Sequence, residues 1–271
     1  MTTNIFPTGK PHISFSELKH WHECGWRHKL LYIDKINLSK PSPNLEFGTA
    51  VHAECEDYLK TRIMNFERLE NSIRSTWEEK SFEDPDAWIK DAKQILEDIP
   101  EFLDSTFSEW SCIAAEHELY ESIEGQDIKF KGFIDCMIKA KNSKGQWKLW
   151  IIDWKTSGPR GWSSDKRRDP LIQAQPVLYK NFCSQKFEVD PKDIKCGFVV
   201  LKRGAKKGKS CELIEVSAGP KTLEKSDRYV SSMINGVKSG KAIKNRSSCK
   251  YCDFKGTSHC PGSSEFVPFT S

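Results

Sequence analysis

The segment Leu149–Ser157, with the sequence LWIIDWKTS, constrains the fold more than any other part of the chain. It starts as an apolar run, and successive side chains of a strand point to opposite faces. Ile151, Asp153 and Lys155 therefore share one face of the predicted strand. Because both faces are apolar up to Asp153, the segment predicts a central strand that is covered on both sides, with a carboxylate and an amine at the rim of the core.

An acidic and a basic side chain two residues apart at such a rim indicate a metal-dependent hydrolase. The carboxylate can bind Mg2+ or Mn2+, and the ammonium can orient the attacking water and stabilise the charge that builds on a phosphate. The same spacing occurs elsewhere, for example at Glu78 and Lys80, where it predicts a solvated surface pair. At residues 153 and 155 it instead follows an apolar strand and precedes a Gly158–Pro159 break.

The composition predicts a globular chain that buries its own core. The 271 residues are 37% hydrophobic and 30% charged, and no apolar run approaches the length of a membrane helix, about 20 residues. The segment Met1–Asn4 lacks the basic and apolar regions of a signal peptide, so we expect a cytoplasmic protein with no membrane segment. In that compartment, the ten cysteines are expected to be reduced, buried or metal-bound.

Positive charge is concentrated in residues 201–250. They contain 13 Lys/Arg and 4 Asp/Glu, a net charge of +9 in a chain whose total is +4. Such a distribution suits a polyanion such as DNA, and a well-solvated surface is the alternative. Within it, residues 202–210 (KRGAKKGKS) are one residue short of the phosphate-binding loop pattern, and no helix is predicted to follow them. We interpret them as a basic hairpin.

The N-terminal part predicts two helices. The first begins at Ser14 or Ser16 and contains Cys24, and the second covers residues 47–62 and carries His52 beside its apolar stripe. His52 could be either a core histidine or a ligand. A polar helical insertion is predicted over residues 63–110.

An antiparallel meander is predicted next, and it would bring Asp135 close to Asp153. Glu116 could face inward with them or lie on the surface. The meander is followed by a helix with Gln175 and Tyr179 on one face, two strands and a last helix. The predicted strands are 111–123, 128–135, 147–154, 196–201 and 212–216, and the two helices are 171–182 and 221–238.

Three cysteines near the C-terminus form a C-x2-C-x7-C pattern at Cys249, Cys252 and Cys260. Three close thiolates need a fourth ligand to complete a zinc or iron-sulfur site, and His259 is one candidate. The other cysteines lie in apolar helices or strands and are predicted to be small core residues. They are Cys55, Cys112, Cys136, Cys183, Cys196 and Cys211.

Six motifs in order resemble the iron-sulfur branch of the PD-(D/E)XK nucleases, which contains the RecB-like and AddB-like exonucleases and the CRISPR-adaptation nucleases. The resemblance covers residues 13–62 and 110–262. The motifs are Ser-Phe-Ser-Glu-Leu followed by Cys24, Gly-Thr-Ala-Val-His ending at His52, Gly-Phe-Ile-Asp ending at Asp135, Ile-Asp-Trp-Lys ending at Lys155, Gln175 with Tyr179, and the three C-terminal cysteines.

The resemblance implies a role for each of these residues. His52, Asp135 and Asp153 would hold the catalytic metal with the backbone carbonyl of Ile152, and Lys155 would be the catalytic lysine. The Gln-x-x-x-Tyr helix that carries Gln175 and Tyr179 would line the DNA path. Four cysteines would bind a [4Fe-4S] cluster, namely Cys24, Cys249, Cys252 and Cys260.

We therefore expect an α/β fold: one nuclease domain over residues 1–271 with a PD-(D/E)XK core, a mixed sheet flanked by helices. It would carry the helical insertion and an iron-sulfur clasp at 241–262 that closes onto Cys24. The expected activity is Mg2+- or Mn2+-dependent hydrolysis of DNA, on single strands or ends. Since no helicase motif is present, unwinding would need a helicase or a recombination or integration partner. The alternatives are a CRISPR-adaptation-type trimming nuclease and a metal-stapled DNA-binding module without catalysis; the sequence leaves polarity and oligomeric state open.

Overall fold

The computed structural model describes residues 6–261. A run of helices is followed by three consecutive strands, and two more helices then precede the last pair of strands. The helices are α1 (Phe15–Glu23), α2 (Gly25–His28), α3 (Pro43–Thr61), α4 (Phe66–Glu79), α5 (Pro85–Thr106), α6 (Ser164–Arg168), α7 (Pro170–Phe187) and α8 (Pro220–Lys238). The strands are β1 (His12–Ser14), β2 (Trp110–Ser122), β3 (Lys129–Lys141), β4 (Trp147–Ser157), β5 (Ile194–Lys202) and β6 (Cys211–Val216). No helix among the described residues is long and apolar enough to cross a membrane.

The chain forms two compact units. The first takes in the described parts of Met1–Lys40, Tyr120–Lys131 and Lys225–Ser271. The second consists of Pro41–Leu119 and Gly132–Glu224.

The second unit is built around β4, the strand that the sequence predicts to be central. β4 pairs antiparallel with β3 and parallel with β5, and β5 pairs antiparallel with β6. The sheet is therefore mixed, as expected. Five consecutive residues of β4, Trp150–Trp154, are buried, because helices cover both faces of the strand.

One face of β4 packs against the large apolar core that includes α3, α4 and α5. Trp150, Ile152 and Trp154 contribute to that core from β4. The opposite face carries Asp153 and is approached by α7, which contacts both β4 and β5. Helices α4 and α5 occupy most of the predicted insertion, and their apolar side chains form part of the main core instead of a separate one.

The first unit holds α1, α2 and the part of α8 from Lys225 onwards. Its short strand β1 pairs parallel with Lys129–Lys131 at the start of β3. The sequence analysis missed β1, because three residues are too few to give an alternating pattern.

The helix that was predicted to contain Cys24 is interrupted at that residue, so this part of the prediction is wrong. α1 ends at Glu23 and Cys24 is extended, with φ −165° and ψ 110°. The break allows a close approach of the chain to residue 243. A Cβ on Gly25 would lie 3.0 Å from the backbone nitrogen of Ile243, and the Trp26 amide donates to the Ile243 carbonyl. Cys24 is thereby placed at a turn and not on a helix face.

Candidate functional site

Asp153 is a buried carboxylate whose oxygens have different partners. Its side chain is 2% exposed. Oδ1 accepts a hydrogen bond of 2.7 Å from Nε2 of Gln175, whereas Oδ2 lies 2.7 Å from Nζ of Lys155 in an ion pair. Within residues 6–261, Oδ2 accepts no hydrogen bond of regular geometry beside this ion pair. Burial raises the pKa of Asp153, and the nearby Lys155 ammonium opposes that rise.

Asp135 lies on β3 beside Asp153, as the meander predicts. The two residues are each one step beyond the paired Cys136 and Ile152. Oδ2 of Asp135 accepts a hydrogen bond of 2.8 Å from the Trp154 amide. Burial and then repulsion from Asp153 raise the pKa of Asp135 well above its usual range. Two carboxylates that repel each other, one buried and one partly buried, form a site where a cation is electrostatically favoured.

Lys155 provides positive charge to this carboxylate pair. Burial alone would lower the pKa of Lys155, but Asp153 and Asp135 outweigh this effect and raise it. The side chain is therefore an ammonium at neutral pH, suited to stabilising negative charge and not to removing a proton.

His52 lies on α3 next to Asp135, and its side chain is 26% exposed. Nδ1 of His52 is 3.7 Å from Oδ2 of Asp135. The helix comes close to β4 at Gly48, where a Cβ would be only 3.2 Å from Oγ1 of Thr156. Burial, followed by the charge of Lys155, lowers the pKa of His52 to about 4. At neutral pH the imidazole is uncharged, which is the form that binds metals.

Gln175 and Tyr179 lie one turn apart on α7, as predicted. Nε2 of Gln175 donates to Asp153 and lies 3.3 Å from Oη of Tyr179. Tyr179 is buried, and burial followed by the charge of Asp153 raises the pKa of its hydroxyl. The glutamine thus orients a carboxylate of the site directly. Ile152, whose carbonyl was expected to be a metal ligand, has a fully buried side chain.

Glu116, which the sequence left open, contributes to the electrostatics of the same site. It is half-buried on β2, and burial, then Glu56, then Asp153 raise its pKa. Its φ is +52°, a left-handed conformation that costs a non-glycine residue about 1–3 kcal/mol. No local signal in the sequence predicts this conformation.

The candidate active-site residues do not already form a metal cage. Among residues 6–261, no three His, Cys, Asp or Glu side chains are arranged to bind one metal ion. Lys155 and the Trp154 amide contact the two carboxylates instead.

The four predicted cluster cysteines line a single cavity, which we call the cysteine cavity. It is lined by Cys24, Cys249, Cys252 and Cys260. His259, the alternative fourth ligand, is not part of the lining. Basic side chains also border the cavity and would stabilise thiolates electrostatically. These are Arg27, Lys244, Arg246 and Lys255.

Hydrogen bonds tie the segment around Cys249 to the end of α1. The Glu23 carbonyl accepts from Nδ2 of Asn245 and from Oγ of Ser248, at 2.9 and 2.7 Å. The Asn245 amide lies 3.4 Å from Sγ of Cys24. Residues more than 220 positions apart are thus held at one cavity.

The basic hairpin, residues 202–210, is anchored on α5 through its backbone. The buried carboxylate of Asp98 accepts hydrogen bonds from the amides of Gly208 and Ser210, at 2.9 and 3.1 Å. Nε2 of Gln94 donates to the carbonyl of Ala205 at 3.0 Å. The side chains of Lys206, Lys207 and Lys209 in the hairpin are exposed to solvent.

Arg203 fixes the first part of the basic hairpin. Its guanidinium lies 3.9 Å from the centroid of the Trp88 ring and 3.5 Å from Asp91. Its amide donates to the carbonyl of Ser157, at the end of β4. The hairpin is therefore an ordered element beside the strand that carries Asp153 and Lys155.

Comparison with known proteins gives one family and a similar fold. The family model of the PD-(D/E)XK nuclease superfamily matches residues 12–260. The crystal structure of a protein from Eubacterium rectale, named as a putative exonuclease, is similar with a TM-score of 0.57 and 15% identity, over 93% of this chain and 91% of that one.

The structure of SSO0001 shows 16% identity over 90% of this chain and 84% of that one, but its TM-score of 0.39 supports no conclusion. No curated protein matches the chain. The family match spans the sheet, the carboxylate pair and the cysteines described above, and the chain belongs to the PD-(D/E)XK nuclease superfamily.

Proposed function

We propose that the protein is a metal-dependent nuclease that hydrolyses DNA phosphodiesters, on single strands or exposed ends. The observation that carries this proposal is the pairing of the buried Asp153 with the partly buried Asp135, with the Lys155 ammonium in contact with Asp153. Membership of a nuclease superfamily whose members use divalent metals such as Mg2+ and Mn2+ supports the same activity.

The metal would be held by Asp135, Asp153 and neutral His52, together with the carbonyl of Ile152. Their oxygen and imidazole donors suit Mg2+ or Mn2+. When bound, the ion would polarise the scissile phosphate and lower the pKa of the attacking water. The electrostatic fit is good, because the ion would relieve the carboxylate repulsion that raises the pKa of Asp135.

The protein side chains would supply orientation and charge. Gln175 holds the Asp153 carboxylate through Oδ1, which leaves Oδ2 for a cation. A cation at Oδ2 would compete with Lys155, so the ammonium would then be available to the negative charge on the phosphate. The hydroxyl of Tyr179 stays protonated at neutral pH and can support Gln175 through the contact between them.

We also propose that the cysteine cavity binds a [4Fe-4S] cluster. Its lining has the four thiolates that such a cluster needs, together with compensating cations. Four sulfurs around one zinc ion would be about 3.8 Å apart, since each lies about 2.3 Å from the metal. In a cubane cluster each thiolate binds its own iron, so the sulfurs are farther apart.

The basic hairpin would contact the DNA backbone. Its exposed lysines are Lys206, Lys207 and Lys209, and its anchored backbone would present them in a fixed arrangement. Duplex substrates would be opened by a separate helicase or by a recombination or integration partner.

Cleavage by the Asp153→Asn and Lys155→Met variants tests the proposed function. We expect each to lower the cleavage rate of end-labelled single-stranded DNA in Mn2+ at least about a hundredfold, because each removes a group from the reacting site. Lys148→Met is the matched control, since Lys148 lies on the same strand but pairs with Asp193 at 2.6 Å. Full activity in both test variants would contradict the assignment, and a wild-type protein that binds but never cuts DNA would favour the non-catalytic module.

The Asp135→Asn variant should separate two effects of this carboxylate, namely its destabilisation of the metal-free fold and its contribution to metal binding. The raised pKa means that folded Asp135 keeps a proton to higher pH than the unfolded chain does, so the free energy of unfolding falls as pH rises through this range. Without metal at pH 8, Asp135→Asn should therefore raise the Tm by roughly 2–4 °C, and the gain should shrink towards pH 4.

The same variant should gain no thermal stability from Mn2+, whereas the wild type should. Asp127→Asn, a change at an exposed carboxylate with no ion pair among residues 6–261, should leave both effects as in the wild type. An Asp135→Asn variant that is less stable without metal and still stabilised by Mn2+ would refute the site.

The protein purified without oxygen should be brown and contain about four irons and four sulfides per chain. Single changes to Ala at Cys24, Cys249, Cys252 or Cys260 should bleach it and lower its Tm, since the cluster joins distant parts of the first unit. Cys183→Ala, in the second unit, should keep the colour. A colourless protein containing stoichiometric zinc would be inconsistent with the cluster.

The basic hairpin should affect affinity and leave the chemical step unchanged. If four to six phosphates are neutralised, log K for single-stranded DNA should fall against log salt with a slope of about −3 to −4. Changing Lys206 and Lys207 together to Ala should flatten the slope by about one unit, with kcat unchanged at saturating DNA. The control changes Lys192 and Lys195, which pair with Asp190 and Glu215. An unaltered slope in the hairpin variant would show that the hairpin does not contact DNA.

A further inference from the structure

The two residues between the first two cysteines of the C-terminal pattern are more exposed than the cysteines themselves. Tyr251 is 80% exposed, the largest value among the exposed large hydrophobic and aromatic side chains of residues 6–261. Lys250 is also exposed, and neither residue lines the cysteine cavity. The turn from Cys249 to Cys252 thus presents a lysine and a tyrosine away from the sulfurs.

A single exposed tyrosine is common on protein surfaces, but the charge around this one is not balanced. Residues 241–255 contain five Lys/Arg and one acidic residue, Asp253. All five cations are exposed, and none forms an ion pair within residues 6–261. They are Lys241, Lys244, Arg246, Lys250 and Lys255. Some exposed lysines elsewhere form such pairs, as Lys60 does with Glu56 and Lys192 with Asp190, whereas these five cations concentrate uncompensated positive charge in fifteen residues.

The thiolates of the cysteine cavity account for only some of these cations. Lys244, Arg246 and Lys255 border the cavity, whereas Lys241 and Lys250 do not. Nζ of Lys250 instead lies 5.1 Å from the ring centroid of Tyr251. A cation beside an exposed aromatic ring, outside the cavity, is suited to a ligand that has both an anionic group and a flat ring.

The surface is also held in place before any ligand binds. Asn245 and Ser248, on the N-terminal side of the turn, both bond to the Glu23 carbonyl. Nε1 of Trp26 donates to the carbonyl of His259 on the other side, at 3.0 Å. A fixed turn loses little conformational entropy on binding.

We propose that the Cys249–Cys252 turn is a binding site for single-stranded DNA, in which Tyr251 stacks on a base and Lys250 contacts the adjoining phosphate. Single strands provide a repeated phosphate next to unpaired bases, and base stacking on aromatic side chains tolerates any sequence. The choice of DNA rests on the proposed function. The site itself needs neither the catalytic metal nor the carboxylate pair, so it can be tested separately.

Binding should be measured with the full chain, iron-loaded, in the inactive Lys155→Met background. Fluorescence anisotropy would follow a labelled oligothymidine and an abasic strand of the same length. Tyr251→Ala should weaken binding of oligothymidine roughly 5- to 100-fold, the range seen when one stacking residue is removed. It should leave binding of the abasic strand almost unchanged, because that strand has phosphates but no bases.

Two further variants separate stacking from other effects. Tyr251→Phe should retain the wild-type affinity, since the ring and not the hydroxyl stacks. Trp147→Ala changes another exposed aromatic residue with lysines over its ring, Lys139 and Lys141, and should have no effect. Unchanged iron content and Tm in Tyr251→Ala would show that the turn is intact.

Three results would overturn the proposal. They are wild-type affinity for oligothymidine in Tyr251→Ala, an equal loss on the abasic strand, and Tyr251-dependent binding to phosphatidylserine vesicles without any Tyr251-dependent binding to DNA. A failure of the proposed function gives a different result. If the wild-type protein does not cleave DNA but its affinity for oligothymidine still depends on Tyr251, the binding site is supported and the nuclease assignment is refuted.

Discussion

The placement of two carboxylates side by side, Asp153 buried and Asp135 partly buried, is the constraint on which the candidate site depends. Asp135 and Asp153 are brought together by the pairing of β3 with β4, and both have raised pKa values because water is excluded from them. The neighbouring groups respond to this charge: Lys155 pairs with it, Gln175 donates to it, and His52 beside it is uncharged at neutral pH. A divalent cation would relieve the repulsion. The site therefore lowers the stability of the fold without metal and raises it when metal is bound.

The burial of β4 on both faces stabilises the fold and offsets this destabilisation. The core shared with α3, α4 and α5 buries one face, and α7 approaches the other with Gln175. The insertion helices have a second effect, since Asp98 on α5 anchors the basic hairpin beside the end of β4. The segment that the sequence predicts to be a helical insertion therefore forms part of the core and also supports a candidate DNA-binding surface.

Local patterns predicted the elements that depend on local physics. The apolar alternation before Asp153 identified β4, and the meander correctly brought Asp135 to it. Three features depend on contacts between distant residues and could not be predicted: the helix break at Cys24, the left-handed backbone of Glu116, and the anchoring of the hairpin by Asp98, 110 residues earlier in the chain. The sequence predicts the hairpin itself, but its hydrogen bonds to Gln94 and Asp98 on α5 come from contacts that no local pattern encodes.

The most direct test of the account is to locate bound Mn2+ by anomalous X-ray scattering from crystals of the protein. The account predicts a peak within coordinating distance, about 2.0–2.4 Å, of carboxylate oxygens from both Asp135 and Asp153 and of a His52 ring nitrogen. In the same crystals, Nζ of Lys155 should have left its contact with Asp153. A fully active protein whose Mn2+ peak lies away from both carboxylates would contradict the central claim.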